Sequence, residues 1–255
     1  MGIFDGNFDV NDVIQIFTKV LIVFLILPVH EFAHAWAAHK MGDDTAAYSG
    51  RLTMNPLAHI DIIGAICLLL TGFGWAKPVP INPLKFKKQR FGVAVTAAAG
   101  PLSNLLVGFI ALIGYRFLIA SEFFRNGLSE LYAHYSNIDE ILATPLSASA
   151  LEYSANGMNY MFLILCTLEY FIIINIGLAI FNLIPIPPLD GSKIVSYFTS
   201  AKIDRWFQQN AMVISIVFMV IIFSGALNTP LSLLRNGLLH FFWFILGFIP
   251  KLMGA

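Results

Sequence analysis

The chain has 255 residues, of which 58% are hydrophobic and only 12% are charged, and its net charge is zero. A soluble globular domain carries about twice that charged fraction, so the composition predicts a polytopic membrane protein. The neutral balance gives no indication of a nucleic-acid partner. The two cysteines, Cys67 and Cys166, both lie in apolar segments and argue for neither a disulfide framework nor a cysteine-based zinc finger.

Apolar segments of about 20 residues predict helices that span the membrane. They occur at about 12–40, 92–120, 158–184, 210–227 and 231–249. The apolar run 62–71 is short, and glycines and a proline follow it, so we expect a re-entrant or edge element near 62–82. The sequence therefore predicts an all-α polytopic fold with about five to six transmembrane helices. No internal repeat is visible, and we expect one integral-membrane domain over residues 1–255.

The first predicted helix carries His30-Glu31-Phe32-Ala33-His34 near its C-terminal end. Helix positions i and i+4 project from the same side, so both histidines can offer imidazole nitrogens to one metal ion. Glu31 lies beside them, where a carboxylate could take a proton from a metal-bound water. Chance matches to this pattern occur, but ionisable residues in a membrane segment are costly and are candidates for function.

A catalytic zinc ion usually has three protein ligands, and Asp190 is the best candidate for the third. It follows an apolar segment that three prolines and a glycine between 185 and 191 prevent from continuing as a helix. A break near 182–191 could bring Asp190 toward the histidines, because broken backbone at membrane depth is buried in protein or lines a wet cavity. The alternative is an ordinary loop with a solvated aspartate, and the spacing alone does not decide between them.

The two motifs together resemble the site-2 protease family of intramembrane zinc metalloproteases, in its short prokaryotic type without PDZ or CBS domains. That family pairs H-E-x-x-H with N-x-x-P-x-x-x-x-D-G, which stand here at 30–34 and 182–191. The stretches 55–61, 74–83 and 99–104 are also similar. Two positions depart from the family pattern. Ser192 stands where many members have a second glycine, and Ile62 stands where a proline often follows the His-x-Asp sequence.

The resemblance implies one Zn²⁺ per chain, bound by His30, His34 and Asp190, with Glu31 as the catalytic acid and base. It also implies a multi-pass protein of the prokaryotic cell membrane that takes part in regulated intramembrane proteolysis.

Four further polar residues are candidates for the site. Asn182 could donate to an oxyanion or hold a substrate backbone, or it could cap the broken helix. Asn104 could contact a metal ligand or the substrate, or it could form an ordinary interhelical hydrogen bond. His59 and Asp61 could lie at the membrane interface, whereas the resemblance favours a role near the site, such as orienting a ligand imidazole.

The predicted function is that of a zinc-dependent intramembrane endopeptidase. It would hydrolyse peptide bonds of membrane-spanning protein substrates in the lipid bilayer, with a zinc-bound water activated by Glu31. One alternative is a membrane metal transporter, which would normally show polar residues along several helices. Another is a catalytically inactive family member that binds membrane helices.

Loop charge predicts an orientation in the membrane. Residues 77–90 hold five basic residues and no acid, and basic residues also follow Gly191, whereas 121–157 holds five acids against Arg125. Positive loops prefer the cytoplasm, so we expect both basic segments there. This assignment requires that 62–75 does not cross the membrane.

Overall fold

The computed structural model describes residues 16–17, 20–71, 74–123 and 160–252. Within these ranges the chain is helical and contains no β-strand, only an isolated antiparallel bridge between Ile60 and Ala76. The predicted all-α class is therefore confirmed for the described residues. The helices are α1 (Leu27–Lys40), α2 (Thr45–Tyr48), α3 (Pro56–His59), α4 (Ile62–Thr71), α5 (Gln89–Ala120), α6 (Tyr160–Asn182), α7 (Asp190–Ser196), α8 (Ala201–Gln209), α9 (Ala211–Phe223), α10 (Asn228–Ile245) and α11 (Ile249–Leu252).

Two of the described helical segments are long and apolar enough to cross a membrane. They are Gln89–Ala120 and Asn228–Phe248, and the bent pair α8 and α9 would add a third if it forms one span. The segments predicted at 92–120, 158–184, 210–227 and 231–249 each contain a helix. The count of five to six spans stays a prediction, and residues 12–15 and 124–159 lie outside the described residues.

The segment between Ile60 and Lys77 begins and ends beside α3. Asp61 begins α4, since its Oδ1 accepts a hydrogen bond from the Gly64 N–H at 2.8 Å. After α4 the chain comes back, and the Lys77 N–H donates to the His59 carbonyl at 2.8 Å beside the Ile60–Ala76 bridge. Both ends of the segment are thus adjacent, which is the path expected of a re-entrant element.

Two buried side chains hold this returning segment. The Arg51 guanidinium donates to the carbonyls of Ala58, Lys77 and Pro78. Asp43 is fully buried and accepts from the backbone N–H groups of Thr45 and Asn82. Burial alone would raise the pKa of the Asp43 carboxyl, but hydrogen bonds from the Thr45 hydroxyl and from these backbone groups outweigh it and hold the pKa below its usual value.

A sharp break separates α6 from α7. Helix α6 ends at Asn182, and α7 begins at Asp190. A Cβ at Gly191 would lie 2.3 Å from the Leu183 carbonyl oxygen, so only glycine allows the start of α7 to pack against the end of α6. The predicted break near 182–191 is present, and Asp190 is the first residue after it.

The chain divides into two compact units. The first comprises residues 1–18, 108–173 and 239–255, and the second comprises residues 19–107 and 174–238. In the first unit, the Arg116 guanidinium lies 3.7 Å from the centre of the Trp243 ring. The second unit contains every residue of the candidate site. The expectation of a single domain over 1–255 stays a prediction.

Candidate metal centre

Three buried side chains converge on one point in the second unit. His30 Nε2 lies 3.0 Å from His34 Nε2, and Asp190 Oδ2 lies 3.2 Å and 3.1 Å from these two nitrogens. The three residues are only 5–7% exposed. Among the described residues, they form a group that could bind a metal ion through two imidazole nitrogens and one carboxylate oxygen. The structure thus brings together the three residues that the sequence predicts as metal ligands.

Helix α1 positions the two histidines. Their i,i+4 spacing places both rings on one side, 4.6 Å apart and nearly perpendicular. Pro28 stands in the first turn of α1, and the preceding turn, Ile22–Ile26, is a π-helix. Proline lacks the N–H that an α-helix needs, and a wider turn accommodates it without ending the helical path.

Helix α5 forms the wall behind the imidazoles. The Thr96 carbonyl accepts a hydrogen bond from His34 Nδ1 at 2.7 Å, and Asn104 Nδ2 lies 3.2 Å from His30 Nδ1. A Cβ at Gly100 would lie 2.4 Å from His34 Nε2 and 2.7 Å from His30 Cε1. Glycine at position 100 is therefore what lets α5 approach both rings this closely.

The hydrogen bond to Thr96 determines which nitrogen of His34 can bind a metal. A backbone carbonyl only accepts, so His34 Nδ1 carries the proton, and in the neutral ring Nε2 presents a lone pair. That lone pair points at Asp190 Oδ2 and at the second histidine. Several electron pairs then face one another at about 3 Å, an arrangement that a cation between them would stabilise.

The geometry and the donor set both fit zinc. Bonds of about 2.0–2.1 Å in tetrahedral coordination separate two ligand atoms by roughly 3.3–3.4 Å, close to the 3.0–3.2 Å observed. Two imidazoles and one carboxylate are a known catalytic set that leaves the fourth position open. When His30 Nε2 is a ligand, Nδ1 carries the proton, and the buried Asn104 Oδ1, which has no partner, can turn to accept it.

Glu31 is not one of the converging residues. One residue after His30, it is turned about 100° around the helix axis, and its side chain is half-buried. No hydrogen bond or ion pair joins its carboxylate to another residue in the described ranges. Among the described residues, no direct partner therefore holds the Glu31 carboxylate.

The remaining predicted site residues occupy separate places. Asn182 Nδ2 donates to the Leu178 carbonyl at 3.0 Å, one turn back in its own helix. The buried His59 bonds the Thr53 carbonyl through Nε2 at 2.8 Å, and Asp61 caps α4. Of these four residues, only Asn104 forms a hydrogen bond with one of the converging side chains among the described residues.

Sequence reasoning missed two contributors. The Thr96 carbonyl is backbone and leaves no trace in residue type. Gly100 precedes Pro101, and capping of a helix start would explain that pair, whereas both residues lie inside α5. The signal that could have identified Gly100 is a glycine within an otherwise helical apolar segment, which often marks close packing.

Comparison with known proteins agrees with this chemistry. The model of Peptidase family M50 matches residues 18–223 of the chain. The Bacillus subtilis (strain 168) protein named "Putative zinc metalloprotease YwhC" is 34% identical over 202 residues, which cover 79% of this chain and 78% of that protein. No solved structure gives a significant match.

Proposed function

The chain belongs to peptidase family M50, the site-2 protease family, and we propose that it is a zinc-dependent intramembrane endopeptidase. His30, His34 and Asp190 would hold one zinc ion, and the substrates would be membrane-spanning proteins. The observation that carries the proposal is the convergence of two imidazole nitrogens and one carboxylate oxygen within 3.2 Å of one another. Three ligands of this kind leave one coordination position for the reaction.

A bound zinc ion would supply Lewis-acid chemistry toward water and toward a peptide carbonyl. The protein's own residues would manage the protons and the orientation of the ligands. Glu31 takes a proton from the attacking water and returns it to the nitrogen of the leaving amine as the peptide bond breaks. The Thr96 carbonyl and Asn104 fix the imidazole rings so that Nε2 of each faces the metal position.

The substrate must present an extended backbone at this site. A membrane-spanning helix has its backbone groups paired internally, so it has to unwind locally before a carbonyl can be attacked. Asn182 stands at the end of α6, and one of its two amide hydrogens is used by Leu178. The second is available to donate to a substrate carbonyl or to the oxyanion that forms from it.

Two other functions use the same residues. A metal transporter would need ligands along a path, whereas the described residues contain one group of three potential ligands. A membrane-helix binding protein without activity would not need a carboxylate next to the first ligand. Under either alternative, Glu31→Gln would leave metal transport or helix binding unchanged.

The test is cleavage of a single-pass membrane substrate by the purified protein in lipid vesicles. Glu31→Gln should retain zinc and fold but lose cleavage by about a hundred- to ten-thousand-fold, the usual contribution of an acid–base group. Glu122→Gln, an exposed acid outside the site, is the matched control and should cleave normally. Zinc uptake into the vesicles without cleavage would favour a transporter, and stable association of uncut substrate with the unmutated protein would favour an inactive binder.

A further inference from the structure

Helix α8 has two different faces and leaves two of the three large side chains of its apolar face exposed. Ile203, Trp206 and Phe207 fall within about 100° of the helix circumference, and Arg205 and Gln208 lie on the opposite side. Ile203 is 45% exposed and Trp206 is 56% exposed. A nine-residue helix that exposes a tryptophan and an isoleucine on one side is suited to a surface where water ends and an apolar phase begins.

The connection to α9 indicates where that surface is. Asn210 alone separates the two helices, and their axes differ by 68°. Helix α9 is entirely apolar apart from Ser215, and exposed side chains run along it at Met212, Val213 and Val220. Such a helix with an uncovered apolar side belongs in lipid. Its first residue therefore marks the edge of the apolar layer.

The angle keeps α8 near one depth. A helix of nine residues is about 13.5 Å long, and at 68° it advances only about 5 Å along the axis of α9. A spanning helix would instead continue along that axis. Placing α8 inside the bilayer would also bring Lys202, Arg205 and two glutamines into lipid, where charged groups are costly.

Neighbouring side chains are of the kind found at a membrane surface. Tyr197 and Phe198, just before α8, are 40% and 78% exposed. The Arg90 guanidinium donates to the carbonyls of Ser196 and Thr199 and pairs with Asp204 of α8. Aromatic and basic residues gather where headgroups meet the acyl chains, and here they surround α8.

We propose that α8 lies in the surface of the bilayer, with Ile203, Trp206 and Phe207 in the boundary between headgroups and acyl chains. Lys202 and Arg205 then face the phosphate groups of the lipids. The occupant of the exposed face is phospholipid, because Asn210 alone separates it from α9, whose exposed apolar side chains belong in lipid. This inference concerns placement in the membrane and does not depend on proteolytic activity.

The placement has a consequence for the metal centre. Asp190 begins α7, and only residues 197–200 separate α7 from α8. Arg90, in the first turn of α5, donates both to the Ser196 carbonyl at the end of α7 and to the Asp204 carboxylate of α8. Helix α8 thus holds the segment that carries the third ligand at a fixed level relative to the membrane surface.

The test uses spin labels on the purified full-length protein in nanodiscs that hold one copy. Labels are attached to single cysteines at positions 203, 206, 205 and 208 in a background without Cys67 and Cys166, with the exposed Val220 of α9 as the reference in lipid. Collision with oxygen and with a water-soluble nickel chelate gives the depth of each label. Helix content by circular dichroism and a single symmetric peak in size-exclusion chromatography are the checks that each variant is folded, and neither depends on the metal centre.

Labels at 203 and 206 should favour oxygen by several-fold over the chelate and lie shallower than the label at 220. Labels at 205 and 208 should favour the chelate. Exposure of all four positions to the chelate would overturn the proposal, because the apolar face of α8 would then lie in water. Four labels as deep as the label at 220 would overturn it in favour of a broken span. If position 206 does not tolerate a label, the comparison of 203 with 205 gives the same decision.

Discussion

Asn104 and His30 contact each other between two helices, with Asn104 Nδ2 3.2 Å from His30 Nδ1. Asn104 is fully buried, and its Oδ1 has no partner. A histidine that binds a metal through Nε2 needs an acceptor for the proton on Nδ1. The amide can supply that acceptor by turning about its last torsion, so the contact links α5 to the metal centre.

Asn104→Ala should lower zinc affinity by roughly 10- to 100-fold, the usual effect of removing a group that orients a ligand. The measurement is competition of the purified protein against a zinc chelator of known affinity. Thr96→Val is the matched control on the same helix. Thr96 holds His34 through its backbone carbonyl, and its buried hydroxyl has no partner, so this variant should bind zinc normally. Equal affinity in the Asn104→Ala and unmutated proteins would remove the proposed role.

His34→Ala should release the metal. It removes one of three protein ligands, and a catalytic zinc ion usually needs all three. Elemental analysis should find about one zinc per chain in the unmutated protein and close to none in the variant. Full retention of zinc by His34→Ala would contradict the assignment of the centre.

Gly100→Ala should disrupt the centre without touching a ligand. The added methyl group would lie within 2.7 Å of ring atoms of both histidines, so the rings or α5 must move, and we expect loss of zinc and of cleavage together. Gly114→Ala, in the same helix with nothing within 4 Å of the added Cβ, should leave both unchanged. Normal zinc content in Gly100→Ala would show that the wall formed by α5 is more tolerant than its geometry indicates.

Replacing Pro185, Pro187 and Pro188 together by alanine should let α6 extend beyond Asn182. Each residue added to the helix would move Asp190 by roughly 1.5 Å along the axis and rotate it, so zinc affinity and cleavage should fall together while membrane insertion is kept. Pro230→Ala, at the exposed start of α10, controls for the loss of a proline. A folded triple variant with normal zinc and normal cleavage would mean that the surrounding fold alone holds Asp190.

The basic segments should lie on the cytoplasmic side. Arg90 and Asp204 form an ion pair, so residues 77–90 and 191–205 share one side, and positive charge places that side in the cytoplasm. Single cysteines at Gln89 and Lys202, in a background without Cys67 and Cys166, should be protected in intact cells from a thiol reagent that cannot cross the membrane. A cysteine at Ser136, in the acidic segment outside the described residues, should be labelled. The reverse pattern would contradict the charge assignment.

The path of 62–76 shows why charge alone left the topology open. The apolar run is too short to span, yet composition cannot say on which side the chain emerges. The two ends of the segment are joined by a hydrogen bond from the Lys77 N–H to the His59 carbonyl. This bond pairs backbone groups 18 residues apart in the sequence, so no pattern of side chains reveals it. His59 and Asp61 show the same limit, because in the structure they serve a loop and a helix start.

Local patterns in the sequence predict the helical class, the i,i+4 histidine pair and the break that precedes Asp190. These features follow from local rules, since hydrophobicity, helix periodicity and the missing N–H of proline act within a few residues. Helix packing brings Asp190 onto the histidines and places the Thr96 carbonyl, Gly100 and Asn104 of α5 behind them. Those contacts join residues more than 60 positions apart, and they depend on how helices pack, which no local pattern encodes.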